Sequence, residues 1–275
     1  MKIDIKEFQI LKKSLMKLLI KNIFNSKFLI FLRNNLNIKK IKFNLKNIKL
    51  NASVSDSFCW RTDNDFETTF RFSDILKNFY KIDNSFIKLI FYNKNGEFLK
   101  EIKLENLNRS VNEIKINKFF LNGLEDYGTF HVYHILNSDI EESMIISNRC
   151  YTGFSRKKSL PSFMHGNTLS SYTYIENKKD DKIYSNIIGR KILKNSIYKI
   201  QNYFEGYDKT ELFFTNPTNN KIKLFINSRY FEINKKSCLI VETKKDKIIT
   251  IKSNCLFLRP VVFNYKNNYF DVFHA

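Results

Sequence analysis

Hydrophobic residues follow two different periods along this chain, and the change of period divides it. Over residues 6–36 apolar side chains recur about every 3.6 positions, which predicts an amphipathic helix. From about residue 38 apolar and polar residues alternate instead, as in the run from Ile41 to Lys46, which predicts strands with one solvated face. The chain is therefore predicted to be mainly β behind an N-terminal helix.

Short predicted strands continue at regular spacing to the end of the chain. Segments 86–92 and 98–104 flank a turn that ends in Asn95-Gly96, which is typical of a β-hairpin. A second pair, 210–215 and 221–227, flanks a turn at 216–220 and is predicted to be a hairpin as well. Strands of this length and spacing are typical of antiparallel sandwiches and barrels.

The closing strands of the two halves resemble each other. Residues 130–134, Phe-His-Val-Tyr-His, align with residues 270–274, Phe-Asp-Val-Phe-His, so that His134 and His274 correspond. We therefore predict two tandem antiparallel β-sandwich units preceded by an N-terminal amphipathic α-helix. The predicted bounds are helix 1–37, first unit 38–137, joining segment 138–171 and second unit 172–275.

The predicted helix carries lysines between its apolar positions. Such a helix can lie on an anionic membrane surface, or it can dock its apolar stripe on its own protein or on a partner. We favour docking and keep peripheral membrane contact through residues 6–36 as an alternative. Lysines interrupt the apolar run from Leu15 to Ile23, and no small-residue cleavage site follows it, so a cytoplasmic location is expected.

The formal net charge is +20, from 47 Lys and Arg against 27 Asp and Glu. An anionic partner would explain this excess, but lysines alternate with apolar residues in many predicted strands, as they do on solvated sheet faces. Lys, Asn, Ile and Phe are also the residues that A/T-rich coding favours. We therefore do not expect nucleic-acid binding from the charge alone.

Recognised catalytic and cofactor motifs are missing from the sequence. The chain has no Walker loop, no dinucleotide-binding glycine pattern, no nucleophile elbow and no paired-histidine zinc motif, so no cofactor is predicted. Its four cysteines form no C-x-x-C pair, which argues against a zinc ribbon and favours free thiols. Whether the chain is an enzyme is left open by the sequence, and the balance leans against it.

The joining segment holds the residues best suited to a ligand. Arg149 and Arg156 offer planar forks for an anion, and His165 and Asn167 add directional hydrogen bonds. Together with Arg259, which precedes the last strands, they predict a site for a polar or anionic ligand at the cleft between the units.

Three histidines form a second hypothesis. If His134, His165 and His274 met at the interface they could hold a metal or supply a general base. No carboxylate pattern accompanies them, so we expect instead that each hydrogen-bonds to nearby backbone, and His134 and His274 are counted among the ligand-binding candidates.

The function that these patterns favour is a binding or accessory protein. Its ligand would be a polar or anionic molecule, with carbohydrate as the first hypothesis by analogy with other sandwich proteins. The alternatives are an enzyme with a His-centred, metal-dependent site and a peripheral membrane or scaffold protein held by the N-terminal helix.

Overall fold

The protein is mainly β. The computed structural model describes residues 16, 23, 52–108, 110–136, 145–147, 150–157, 159–175, 182–187, 196–201, 207–217, 221–243, 248–255, 258–267 and 269–275. These residues form nineteen strands and a single turn of π-helix at Leu76–Tyr80. The predicted helix at 6–36 lies outside the described residues, apart from Met16 and Ile23, which are each helical and exposed.

Eleven strands precede residue 188. In chain order they are β1 (Ala52–Arg61), β2 (Phe66–Phe72), β3 (Ser85–Asn93), β4 (Phe98–Leu104), β5 (Asn112–Ile116), β6 (Tyr127–Leu136), β7 (Ile145–Ser147), β8 (Cys150–Arg156), β9 (Ser162–His165), β10 (Asn167–Ile175) and β11 (Lys182–Ile187).

Eight strands follow. They are β12 (Ser196–Gln201), β13 (Lys209–Thr215), β14 (Ile222–Ile226), β15 (Arg229–Ile233), β16 (Cys238–Thr243), β17 (Ile248–Ser253), β18 (Val261–Lys266) and β19 (Tyr269–His274). In the part of the chain that the structure describes, no helix is long and apolar enough to cross a bilayer.

The strands pair into four sheets. The first sheet has the order β11-β10-β1-β6-β3-β4, and β7 pairs with β1 in parallel at its side. The second sheet is β5-β2-β8-β9, the third is β16-β13-β18-β19 and the fourth is β12-β17-β14-β15. All pairings other than that of β1 with β7 are antiparallel, as the alternating sequence pattern predicts.

The first and second sheets share an aromatic core. Phe58 and Phe130 project from the first sheet, and Phe70 projects from the second. The Phe70 ring centroid lies 5.3 Å from that of Phe58 and 4.9 Å from that of Phe130, in edge-to-face contacts. Trp60 is fully buried in the same cluster, so it is a core residue.

The third and fourth sheets share an aliphatic core. Leu212 and Phe214 of β13 face Leu224 of β14 and Ile249 of β17 across this layer. The intervening residue Phe213 projects from the opposite face of β13, and it is buried as well. A strand that is apolar on both faces is expected only where both faces are covered.

The second and third sheets meet in another buried cluster. Phe154 and Phe66 of the second sheet contact Phe263 of the third, with ring centroids 5.0 and 5.8 Å apart. This cluster joins the two halves of the chain, since the second sheet packs on the first and the third packs on the fourth.

Two predictions about connectivity differ from the structure. Segment 138–171 was predicted to join two units, yet its strands β8 and β9 belong to the second sheet and β10 pairs with β1. The predicted hairpin at 210–227 is not one, because β13 lies in the third sheet and β14 in the fourth. Alternation specifies which residues face inward, but it does not specify which strands pair.

The hairpin at Asn93–Gly96 is confirmed, and its tip contacts the other half of the chain. Asn93 Oδ1 accepts hydrogen bonds from the backbone of Asn95 and Glu97, and Gly96 takes a positive φ of 83°. The Cys238 N–H donates to the Lys94 carbonyl at 3.1 Å. A Cβ placed on Gly96 would lie 2.3 Å from the Lys235 carbonyl oxygen.

Two alanine substitutions separate backbone strain from this contact. Gly123 has the same φ of 83°, but a Cβ there would meet no atom within 4 Å. Gly123→Ala should cost about 1–2 kcal/mol of unfolding free energy from left-handed strain alone. Gly96→Ala should cost roughly a further 1–3 kcal/mol because the turns must separate. Urea denaturation measures both, and equal losses would show that the contact is unimportant.

Candidate functional site

Three loops at one end of the first and second sheets enclose a groove of about 560 Å³. They are the β1–β2 turn at 62–65, the β5–β6 connection at 117–126 and the segment that follows β8. The residues that line the groove are mostly polar, with two aromatic rings among them. They are Thr62, Asp65, Phe66, Glu67, Asn117, Lys118, Phe119, Glu125, Ser155 and Lys157.

The β5–β6 connection is a short coil that projects an aromatic ring. Asn117 Oδ1 accepts a hydrogen bond from the Phe120 N–H at 3.0 Å, and the Gly123 N–H donates to the Lys118 carbonyl. Asn122 and Gly123 both take positive φ values, which reverse the chain. Phe119 lies at the outside of this coil and is 81% exposed, so its ring is available at the rim of the groove.

The loops are tied to one another by hydrogen bonds. Thr62 Oγ1 donates to the Leu124 carbonyl at 2.7 Å, and the Thr62 N–H donates to the Asp126 carbonyl at 2.8 Å. Arg156 Nε donates to the Asn64 carbonyl at 2.8 Å, which connects the end of β8 to the β1–β2 turn. These bonds connect the three loops that line the groove.

The groove is rich in both hydrogen-bond acceptors and donors. Asp65, Glu67 and Glu125 supply carboxylates, and Lys118 and Lys157 supply ammonium groups. Lys118 Nζ lies 3.5 Å from Glu125 Oε1, so these two charges partly neutralise each other. Three acids against two bases make the lining slightly acidic, although the whole chain carries +20.

A buried ionic network borders the groove and joins the two halves of the chain. Arg61 ends β1, is 1% exposed, and binds Asp63 with two parallel hydrogen bonds of 2.9 and 2.7 Å. Its Nη1 donates to Glu211 Oε2 in β13 at 2.7 Å and to the Tyr265 hydroxyl in β18 at 3.0 Å. The Tyr265 hydroxyl in turn donates to Glu211 Oε2 at 2.6 Å, so Tyr265 and Glu211 both have hydrogen-bond partners.

Aromatic rings enclose the Arg61 guanidinium. Its central carbon lies 4.4 Å from the Phe66 ring centroid and 4.9 Å from that of Phe263. Phe66 belongs to the second sheet and Phe263 to the third, so cation–π contacts reinforce the same junction. Phe66 also lines the groove, which places the network directly behind the candidate site.

Burial and pairing shift the ionisation of this network. Burial alone would raise the pKa of Glu211, but the Arg61 charge and hydrogen bonds from Tyr265, Arg61 and Lys209 hold that pKa below its ordinary value. Burial also raises the pKa of Tyr265, which keeps its hydroxyl protonated as a donor. Glu211 is therefore a carboxylate at neutral pH.

The predicted ligand-binding residues divide into separate places. Arg156 lies beside the groove, with its guanidinium 5.8 Å from the Phe66 ring centroid and 5.9 Å from that of Tyr265. His165 of β9 is in register with Tyr151 of β8. Tyr151 precedes Arg156 by five residues, so at the usual strand rise the two lie roughly 17 Å apart. The predicted single site therefore does not form as one cluster.

His165, His274 and Arg259 form a second group where β9 meets β19. The His274 ring hydrogen-bonds to the His165 backbone, and the His165 ring contacts the Tyr151 ring at a tilt, with centroids 4.5 Å apart and planes at 39°. Burial first, and then the charges of Arg259 and His165, lower the pKa of His274.

The remaining predicted residues lie elsewhere or outside the description. His134 is buried in β6, a central strand of the first sheet, whereas His274 ends β19 at the edge of the third, so the two positions differ. Asn167 begins β10, and Arg149 lies outside the described residues. No group of three His, Cys, Asp or Glu side chains suited to a metal occurs among the described residues, which include the three histidines.

Sequence reasoning missed the residues that shape this site. Arg61 follows the apolar run Phe58-Cys59-Trp60, and Glu211 precedes the apolar run Leu212-Phe213-Phe214. A charge that adjoins such a run signals a buried partner. The pairing of Arg61 with Glu211 spans 150 residues, and no local pattern encodes it. Phe119 lies in the apolar run Phe119-Phe120-Leu121, whose other two members pack on the core, so the sequence does not show that Phe119 is the exposed one.

Comparisons with known proteins do not assign the chain to a family. No protein-family model and no curated protein sequence matches it. A solved structure described as an anti-sigma factor domain-containing protein is similar over 87% of this chain and 94% of that one, at 12% identity and a TM-score of 0.20. A score this low does not establish a shared fold.

The ionic network predicts a dependence of stability on pH. Because the pKa of Glu211 is lower in the folded state, its contribution is complete above roughly pH 4.3 and is lost as the pH falls through the folded value. Glu211→Gln should cost about 2–3 kcal/mol of unfolding free energy at pH 7. This difference from the unsubstituted protein should shrink below pH 4.

Chemical denaturation at a series of pH values measures this effect. Glu113→Gln is the matched control, because Glu113 pairs with Arg71 at the surface and should contribute less than about 1 kcal/mol. A Glu211→Gln difference that stays constant from pH 7 to pH 3 would contradict the ionic role of the network.

Proposed function

We propose that the protein is a non-enzymatic binding protein that holds a neutral polyhydroxyl ligand, carbohydrate first, in the groove beside Phe119. The observation that carries this proposal is an aromatic ring, 81% exposed, at the rim of a preformed polar groove. Other apolar side chains of this protein are also exposed, but Phe119 adjoins a polar cavity, and a ring in that position favours a ligand with an apolar face.

A sugar ring matches both properties of the groove. One of its faces presents C–H groups that can pack on the Phe119 ring, and its hydroxyls both donate and accept hydrogen bonds. The groove supplies acceptors from Asp65, Glu67 and Glu125, and donors from Lys118 and Lys157. A neutral ligand is favoured over an anionic one, because the lining has three carboxylates against two ammonium groups.

The finer architecture belongs to the same proposal. We infer that each pair of sheets is a β-sandwich unit, because each pair shares its own buried core. In sandwich proteins the loops at one end commonly carry the binding site, and the groove lies in that position. A cytoplasmic location accords with the four buried free thiols, Cys59, Cys150, Cys238 and Cys255.

Sugar titrations test this function. Maltohexaose, cellohexaose and xylohexaose are titrated into the protein by calorimetry, and at least one is expected to bind. Phe119→Ala should weaken that binding by roughly tenfold, since an aromatic stacking contact contributes about 0.5–1.5 kcal/mol beyond its buried area. Phe79→Ala is the control, because Phe79 is 68% exposed but does not line the groove.

Two outcomes would contradict the proposal. One is that no neutral oligosaccharide binds at millimolar concentration. The other is that Phe119→Ala and Phe79→Ala weaken binding equally, which would place the sugar elsewhere. Release of shortened sugars during the titration would instead show an enzyme.

A further inference from the structure

The outer face of the fourth sheet carries exposed apolar residues that do not belong to the groove. In this sheet the inward residues alternate into the aliphatic core, as Ile200, Leu224 and Ile249 show. The alternate residues of β12, β17, β14 and β15 therefore project away from the protein. Ile197 and Ile248 are each 58% exposed on this face, and Tyr230 is 48% exposed.

One row of side chains crosses all four strands of this face. Ile197 is in register with Lys252, Lys252 with Phe225, and Phe225 with Tyr230. The Phe225 and Tyr230 ring centroids lie 5.0 Å apart. Since neighbouring strands are about 4.8 Å apart, the row spans roughly 14 Å. Two adjacent aromatic rings, of half-buried Phe225 and exposed Tyr230, thus lie on the outer face.

Positive charge surrounds this row. Lys199, Lys223 and Lys252 are exposed on the face. Lys223 is in register with Glu232 of β15, but none of the three lysines lies within ion-pair distance of a carboxylate among the described residues. Glu232 is the acidic residue at the outward positions of these strands, and it already accepts hydrogen bonds from Lys221 and Tyr230. The face therefore has a local cationic excess.

Lysines on another sheet are arranged differently. On β3 and β4 of the first sheet, Lys88 pairs with Glu101 at 2.8 Å and Lys103 pairs with Glu105 at 2.6 Å. Those lysines belong to a neutralised surface, as the alternating sequence suggests. Lys103 also lies 4.4 Å from the Phe86 ring centroid, so a nearby ring does not by itself distinguish the fourth sheet. The fourth sheet differs because three exposed lysines without an ion-pair partner among the described residues share its face with Phe225 and Tyr230.

We propose that the outer face of the fourth sheet binds single-stranded nucleic acid. The three lysines neutralise backbone phosphates, and the Phe225 and Tyr230 rings stack on unpaired bases. A duplex is a poorer partner, because its bases are already stacked and a broad flat sheet does not enter its grooves.

An anionic membrane is disfavoured as the partner by the same geometry. Ile197 adjoins Lys252 in the row, and Tyr230 adjoins Glu232, so insertion of the apolar groups would carry charges into the hydrocarbon. A nucleic acid contacts the rings and the ammonium groups from outside the sheet, so its binding does not carry these charges into an apolar phase.

Fluorescence anisotropy with a labelled 12-nucleotide oligo(dT) tests the proposal on the full chain. The triple variant Lys199→Gln, Lys223→Gln, Lys252→Gln should bind at least tenfold more weakly at low salt. Its plot of log affinity against log salt should be flatter by roughly two units, at about 0.7 for each phosphate that is no longer neutralised. A control triple, Lys115→Gln, Lys235→Gln, Lys266→Gln, removes the same charge from exposed lysines off this face and should weaken binding less than threefold.

Ring variants separate stacking from charge. Phe225→Leu and Tyr230→Leu should each weaken oligo(dT) binding by roughly tenfold while leaving the salt slope unchanged. Tyr230 is half-exposed, so its variant keeps the test valid if Phe225→Leu does not fold, and circular dichroism checks folding of both.

Several outcomes would overturn the proposal. They are no oligo(dT) binding, equal weakening by the two lysine triples, ring variants that bind as well as the unsubstituted protein, and binding of phosphatidylserine vesicles through this face without oligonucleotide binding. Equal affinity for duplex and single strand would also overturn it. The sugar titration on Phe119→Ala is independent of all of these, because the groove lies on the other pair of sheets.

Discussion

The hydrogen-bonded set formed by Arg61, Glu211, Asp63 and Tyr265 is the interaction on which the association of the two halves depends. Arg61 ends a strand of the first sheet, and Glu211 and Tyr265 lie in the third. Moving three charges out of water is costly, and it is offset here because each charged group has several hydrogen-bond partners. Loss of one partner would leave a buried charge uncompensated. The network therefore favours one docking arrangement of the two halves, which apolar contacts alone would specify less strictly.

The candidate groove derives its rigidity from the same junction. Phe66 packs on the Arg61 guanidinium and also lines the groove, while Thr62, the residue after Arg61, ties two of the surrounding loops together. A binding site whose loops are ordered before the ligand arrives loses less entropy on binding. This is why we place the proposed carbohydrate site here, rather than at the His165–His274 contact between β9 and β19.

The charged residues of this basic chain have different surroundings on different surfaces. Lys88 and Lys103 of the first sheet are ion-paired, and the groove is slightly acidic. The fourth sheet gathers three unpaired lysines around Phe225 and Tyr230, and this grouping motivates the proposed nucleic-acid surface. The two proposed surfaces lie on different pairs of sheets, so one chain could hold two unlike partners at once.

The sequence by itself determined the strand content, because alternation of apolar and polar residues reports directly which side of a strand is buried. It also determined the Asn93–Gly96 hairpin, whose turn residues act locally. Only the tertiary structure decided that β13 and β14 belong to different sheets and that segment 138–171 completes the first pair of sheets. It alone joined Arg61 to Glu211 across 150 residues. The physical reason is that periodicity encodes the face of a strand, whereas its partner depends on contacts between segments that are distant in the chain.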